Sequence, residues 1–482
     1  MSECQATKRF DNNSKLNLQN TDNQLVNKKR SHEELGPSLK ASLSEFLSEF
    51  KSVFKCGKRD NSHTANQLVK GLFCTARGER NLERIVEQTC DDINEAYYQK
   101  MQHFVTNSPW DSKALMSKIG LYASDLFKDW QNTAYIIDEK AHLKKGTQSV
   151  GVDNQYAGVV GKTENCQVAV YSALVNGKYA TPINTRLFLP KSWCDDVDRC
   201  KKAHIPTDQT EYKSKQELAL QMLKEDLKNG LKFGWVGADG FYGHGYEFSD
   251  QVEALGQNFV FDVHATQNIY LTKPTIGLPK AKKTGRPLKR KKVLCGTKPI
   301  EAREYLKQLE DKDFQKVVIR KTPKGKLVYK IHVVKVWTWI APSYREKGQP
   351  EPRERTLIIR RGLSKRSKTK YTLSNIAIDQ ASTERFAFMQ AQRFWIEKSF
   401  RDNSKDIGMS DYQIRKHRAW YHYQAITMLA MLFVLKEQIK NKEELPLISH
   451  RDIKVLIQSF LSEHSIQKVE VVIKQMINRH RK

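Results

Sequence analysis

From Thr133 to Pro190 the chain is a nearly continuous run of strand-forming residues: "TAYIID" (133–138), "QSVGVDNQYAG", "CQVAVYSALV" and "NGKYATPINTRLFLP". This run constrains the fold more than any other stretch. Val, Ile, Tyr and Thr suit a pleated, half-buried surface, and Asn176-Gly177 fits a two-residue hairpin turn, which makes the strands on either side antiparallel. "KSKQELALQMLKEDLKNG" then switches to helical spacing, with acid early and Gly230 at its end, before "FGWVGADG" and "NFVFDVHA" return to strand. Antiparallel strands, a helix and further strands separated by helical segments predict an α/β core with helices on its faces.

Helical patterns flank this core. Residues 1–34 are polar and Asn-rich, too poor in large apolar groups to offset ordering entropy, and predict a disordered tail. After Gly36 and Pro37, Leu39, Leu43, Phe46, Leu47, Phe50 and Phe54 recur at helical spacing. With "ERNLERIVEQTCDDINEAYYQKMQHFV" they predict a helical domain over 35–125, readable either as a DNA-binding domain or as a structural bundle. The core would occupy 126–272 and resume over 373–440, followed by C-terminal helices over 441–482. Between its halves, 273–372 combine a basic loop with "QKVVIRK", "KLVYKIHVVKVWTWIAP" and "RTLIIRRG", which predict a separate β-rich unit. The apolar run "AITMLAMLFVL" (425–435) falls short of the ~20 residues of a membrane span and reads as a core helix, so no membrane partner is expected.

Lys and Arg number 82 against 54 Asp and Glu, a formal charge of +28, which favours a polyanionic partner and nucleic acid first. Leu271 to Ile300 hold ten Lys and Arg and no acid. There Arg286, within Gly-Arg-Pro, suits an A/T-rich minor groove, and Lys289, Arg290, Lys291 and Lys292 suit phosphates; a solvated basic linker reads equally well. The eight cysteines are scattered and the N-terminus lacks a signal-peptide core, so a reducing cytoplasm without disulfides is expected. Cys194, Cys200 and His204 lack paired zinc-ligand spacing.

"GWVGADGFYG" (234–243) matches no phosphate-cradling glycine pattern; it leaves Asp239 at the carboxyl end of a buried strand, facing a crevice. Asp138 ends "YIID" in the same way. Two carboxylates at neighbouring strand tips repel each other unless a cation sits between them, and a hard metal such as magnesium suits them. Glu397 is the candidate third acid, on a helix with an apolar face, and Arg393 one turn earlier is placed to meet a phosphate. Turn or cap roles for the aspartates, and an ordinary i, i+4 pair for Arg393 and Glu397, remain open from pattern alone.

Three segments in order, 138–170, "WVGADGFYG" (235–243) and 393–434, together resemble bacterial insertion-sequence transposases of the DDE branch, whose RNase H-like core is interrupted by a β-rich insertion. The resemblance runs from about Asn66 to near the C-terminus. It implies that Asp138, Asp239 and Glu397 are a catalytic, metal-binding triad for two Mg2+ ions, with Mn2+ a substitute. It also implies a double-stranded DNA substrate made of transposon ends and target, a homodimer on DNA, and DNA contacts from Arg393, Lys144, Lys145 and Lys405 beside the basic loop. The family's Tyr, Arg, Glu, Lys signature is matched at Arg393 and Glu397, whereas Gln390 stands for Tyr and Ser404 for Lys, with Lys405 beside it. A catalytically silent DNA-binding descendant and an RNase H-like nuclease without strand transfer are the rival readings.

Overall fold

The computed structural model describes residues 32–89, 95–244, 246–279, 290–294, 296–322, 325–340, 351–364, 367–443, 445 and 448–461. The tail over 1–31, the loop residues 280–289 with Arg286 and Lys289, and the terminal segment after Leu461 lie outside the described residues. Two compact units result: 1–51 with 436–482, and 52–435.

In the first unit, α1 (His32–Glu49) starts before Gly36 and Pro37 rather than after them. Its Leu39 packs with Leu456, and its Ser42 hydroxyl donates to buried Glu437 at 2.6 Å, so segments nearly 400 residues apart share one core. In the second unit, α2 (Ser62–Cys74), α3 (Leu82–Thr89) and α4 (Glu95–Thr106) precede α5 (Ser112–Phe127), which is capped by Asp111 accepting from the Lys113 amide.

The sheet has ten strands. β1 (Ala134–Leu143), β2 (Asp153–Ala157), β3 (Lys162–Asn176) and β4 (Tyr179–Leu187) come first. β3 pairs antiparallel with β1, β2 and β4, and its junction with β4 is the predicted Asn176-Gly177 turn, where Gly177 takes φ +59°. α6 (Lys215–Lys228) follows, opened by a capping box between Ser214 and Glu217. It leads to β5 (Trp235–Ala238), parallel to β1, and, after α7 (Glu247–Ala254), to β6 (Phe259–Val263), parallel to β5; the short α8 (Ala302–Leu306) is the next described helix along the chain. The order β4-β3-β1-β5-β6, with β1, β3 and β4 antiparallel and β5 and β6 parallel to β1, makes the core RNase H-like. All four residues of β5 are buried, as expected of a central strand covered on both faces.

The β-rich stretch, expected to stand apart, instead extends this sheet. β7 (Gln315–Thr322), β8 (Gly325–Thr338), β9 (Arg353–Gly362) and β10 (Lys370–Ser374) form an antiparallel meander, and β10 pairs antiparallel with β6. β6 would otherwise expose an unpaired edge, and β10 satisfies its backbone groups. The chain then returns over the core as α9 (Thr383–Ala391), capped by Ser382, and α10 (Arg393–Asp402). The long α11 (His417–Lys440) includes the apolar run 425–435, which is buried throughout, and no described helix is long and apolar enough to cross a membrane.

Candidate active site

The site forms where the sheet forks. β5 accompanies β1 only as far as the Ile136–Gly237 pair, then turns after Ala238 into the short helix 240–243. β1 runs on to Leu143, paired with β3, so Asp138 lies inside a long strand and not at its tip, as pattern suggested. It nevertheless lies two residues beyond the last pair with β5, where β1 has lost its parallel neighbour. Asp239 does close its strand: its carboxylate Oδ1 accepts the Phe241 amide at 3.0 Å, capping the helix.

The third element is α10, whose buried Ile396 and Phe400 dock it on the core. Phe400 meets Tyr171 edge-on, and Tyr171 is the residue paired across from Asp138. Docked this way, Arg393 points at the fork. Its Nη1 lies 3.3 Å from Asp138 Oδ2 and 3.1 Å from Glu397 Oε1, so one nitrogen bridges two of the candidate acids. The i, i+4 pair does exist, but Arg393 is only 19% exposed and the pair belongs to a larger cluster, unlike a solvated surface bridge.

Electrostatics follow from that geometry. Burial pushes the Asp138 carboxyl up to about 7, opposed by Arg393 and reinforced by Asp239 and Glu397. Burial works against the Arg393 charge, but Asp138, Asp262, Glu397 and Asp239 outweigh it and raise its pKa. Glu139, facing the other side of the sheet, pairs with Lys215 at 2.5 Å, and burial raises its pKa. Among the described residues no three His, Cys, Asp or Glu groups are close enough to hold one metal ion between them. The donor types nevertheless suit a hard divalent cation: the candidate donors are all carboxylate oxygens, they repel one another, and a cationic nitrogen already sits between Asp138 and Glu397. Asp138, Asp239 and Glu397 are the residues that would hold it.

The predicted basic contacts separate. Lys145 and Lys405 are exposed, and Lys292 is exposed at the start of a short ribbon strand. Arg290 is partly buried, and Lys291 pairs with Glu351 at 2.6 Å. Lys144 is a correction: it is 8% exposed and its ammonium donates to the Ser410 and Tyr412 carbonyls at 3.1 and 3.0 Å, which makes it an internal clamp. Its pKa falls to about 8 through burial.

Sequence reasoning missed two residues. Arg320 of β7 stacks over Phe394 and Trp395 at 4.3 and 4.8 Å, tying the inserted strands to α10. Asp262 of β6 lies 3.3 Å from Arg393 Nε. The sequence signal for Asp262 is a carboxylate inside the otherwise apolar "FVFDV".

A core of this strand order is RNase H-like, with acids at its fork and a helix-borne glutamate over it. The model of the DDE superfamily endonuclease family matches residues 46–326, and the chain belongs to that family. It is similar to the probable transposase for insertion sequence element IS701 of Microchaete diplosiphon, 28% identical over 172 residues, which are 36% of this chain and 42% of that relative. A piggyBac transposase synaptic complex with hairpin DNA, solved by cryo-EM, is a distant likeness: TM-score 0.37 and 10% identity over 91% of this chain and 82% of its own.

Proposed function

We propose that this chain is a cut-and-paste DNA transposase that binds terminal inverted repeats, cleaves the transposon ends and joins them to target DNA. The observation that carries the reading is the shared Nη1 of Arg393 between Asp138 and Glu397, with Asp239 beside them at the end of β5. Carboxylates gathered around a cation on an RNase H-like sheet suit in-line phosphoryl transfer, and family membership supports the same reaction.

Asp138, Asp239 and Glu397 would bind two Mg2+ ions, which when present activate the attacking water or 3′-hydroxyl and stabilise the leaving oxygen. Arg393 presents a planar guanidinium that can grip a phosphate with two parallel hydrogen bonds and so fix the scissile end. Lys145, Lys405 and the basic loop hold the DNA backbone, supplying affinity without sequence choice. Two copies acting on the two ends form the working assembly.

Incubation of the full chain with a labelled transposon end, target plasmid and Mg2+ tests this. The parent should cut and then join. D138N, D239N and E397Q should each lose cleavage by roughly a thousandfold, while end binding stays within about threefold because phosphate contacts dominate affinity. A variant that cuts at the parental rate removes that residue from the site. Cutting without joining leaves a nuclease.

A further inference from the structure

Asp262 holds the side of the Arg393 guanidinium that Asp138 and Glu397 leave free. Both of those acids face Nη1, whereas Asp262 Oδ2 faces Nε at 3.3 Å. Its carboxylate has partners of its own besides Arg393. Asp262 sits directly across from Thr372 in the β6–β10 register, and Thr372 Oγ1 donates to Asp262 Oδ1 at 2.8 Å. Gln390, 5% exposed on α9, donates from Nε2 to Thr372 Oγ1 at 2.6 Å, and Lys370 Nζ approaches Oδ2 at 3.4 Å. A relay of Gln390, Thr372 and Asp262 thus fixes an acceptor on rigid elements. It also gives Gln390, at the position of the signature tyrosine, a specific task.

We infer that Asp262 is the positioning residue for Arg393, anchoring the guanidinium through Nε so that Nη1 can exchange Asp138 and Glu397 for a phosphate of the DNA end without the side chain swinging away. This rests on the transposase reading above. A guanidinium held only by Nη1 would lose its orientation when the two acids take up a cation; one held through Nε keeps its plane. Positioning of this kind acts on the reacting geometry more than on affinity.

Full-length protein labelled with 15N-arginine tests the anchor. The Arg393 Nε–H resonance, assigned by its loss in R393K, should shift and exchange faster with water in D262N and in T372V, with or without Mg2+. Single-turnover cleavage should fall about tenfold in D262N and about threefold in T372V, with end-DNA Kd within about twofold of the parent. On an R393K background D262N should add no further loss, since it acts through Arg393. An unmoved Nε–H resonance overturns the inference. So does a multiplicative loss in the double variant, which would make Asp262 an independent group such as a metal ligand. If the parent cuts no transposon end, the transposase reading fails and the resonance alone decides the anchor.

Discussion

Asp138 shows how burying a carboxylate works against stability. Its pKa rises from 3.8 to about 7, chiefly through burial. A carboxyl with a raised folded pKa takes up protons on folding, so its contribution to stability is lost as pH rises from about 4 through 7. D138N should therefore be more stable than the parent at pH 8 in chelator, by up to a few kcal/mol (about 1.4 per pKa unit), and melt higher. The gain should vanish near pH 4. Mg2+ should raise the melting temperature of the parent and leave D138N unmoved, because a ligand stabilises only the state that binds it. Scanning calorimetry across pH checks both arms, and a parent at least as stable as D138N at pH 8 contradicts the burial argument.

At the scale of elements, the site depends on how closely the turn after β5 lies against β6. A Cβ on Gly243 would stand 2.1 Å from the Asp262 backbone carbonyl oxygen, an atom that cannot rotate aside. One on Gly240 would find nothing nearer than 3.8 Å. G243A should push the 240–243 turn off β6, shifting Asp239 and Asp262 together, at a cost of about 1–3 kcal/mol. Its cleavage rate should fall with its stability, while G240A stays near parental in both. Denaturant unfolding beside a cleavage assay separates the two, and equal effects would show that the turn is not pinned at Gly243.

For the whole molecule, the net charge of +28 predicts DNA binding that weakens steeply with salt, by about 0.9 log unit per log unit of salt for each neutralised phosphate. Exposure and pairing rank the candidate lysines. Lys292 is exposed, whereas Lys291 is already paired with Glu351. K292A should therefore flatten the salt slope by nearly one phosphate and K291A by less, as read from binding titrations at several salt concentrations. Equal slopes for K292A and the parent would leave this ribbon without a phosphate contact.

Local sequence determined the strands, the hairpin at Asn176-Gly177 and the helices, because period and turn chemistry are properties of neighbouring residues. Asp138, Asp239, Arg393 and Glu397 could be nominated from strand-ending acids, helical spacing and the resemblance. Tertiary structure alone decided what lies across long separations. Asp262 meets Arg393 over 131 residues, and its partner Thr372 comes from a strand that joins β6 by edge pairing. Lys144 turns inward to carbonyls 266 and 268 residues away, and the β-rich stretch extends the sheet it was expected to leave. The physical reason is the same in each case: a backbone edge or a carbonyl accepts a partner from any sequence, so its choice is set by packing and carries no local signature.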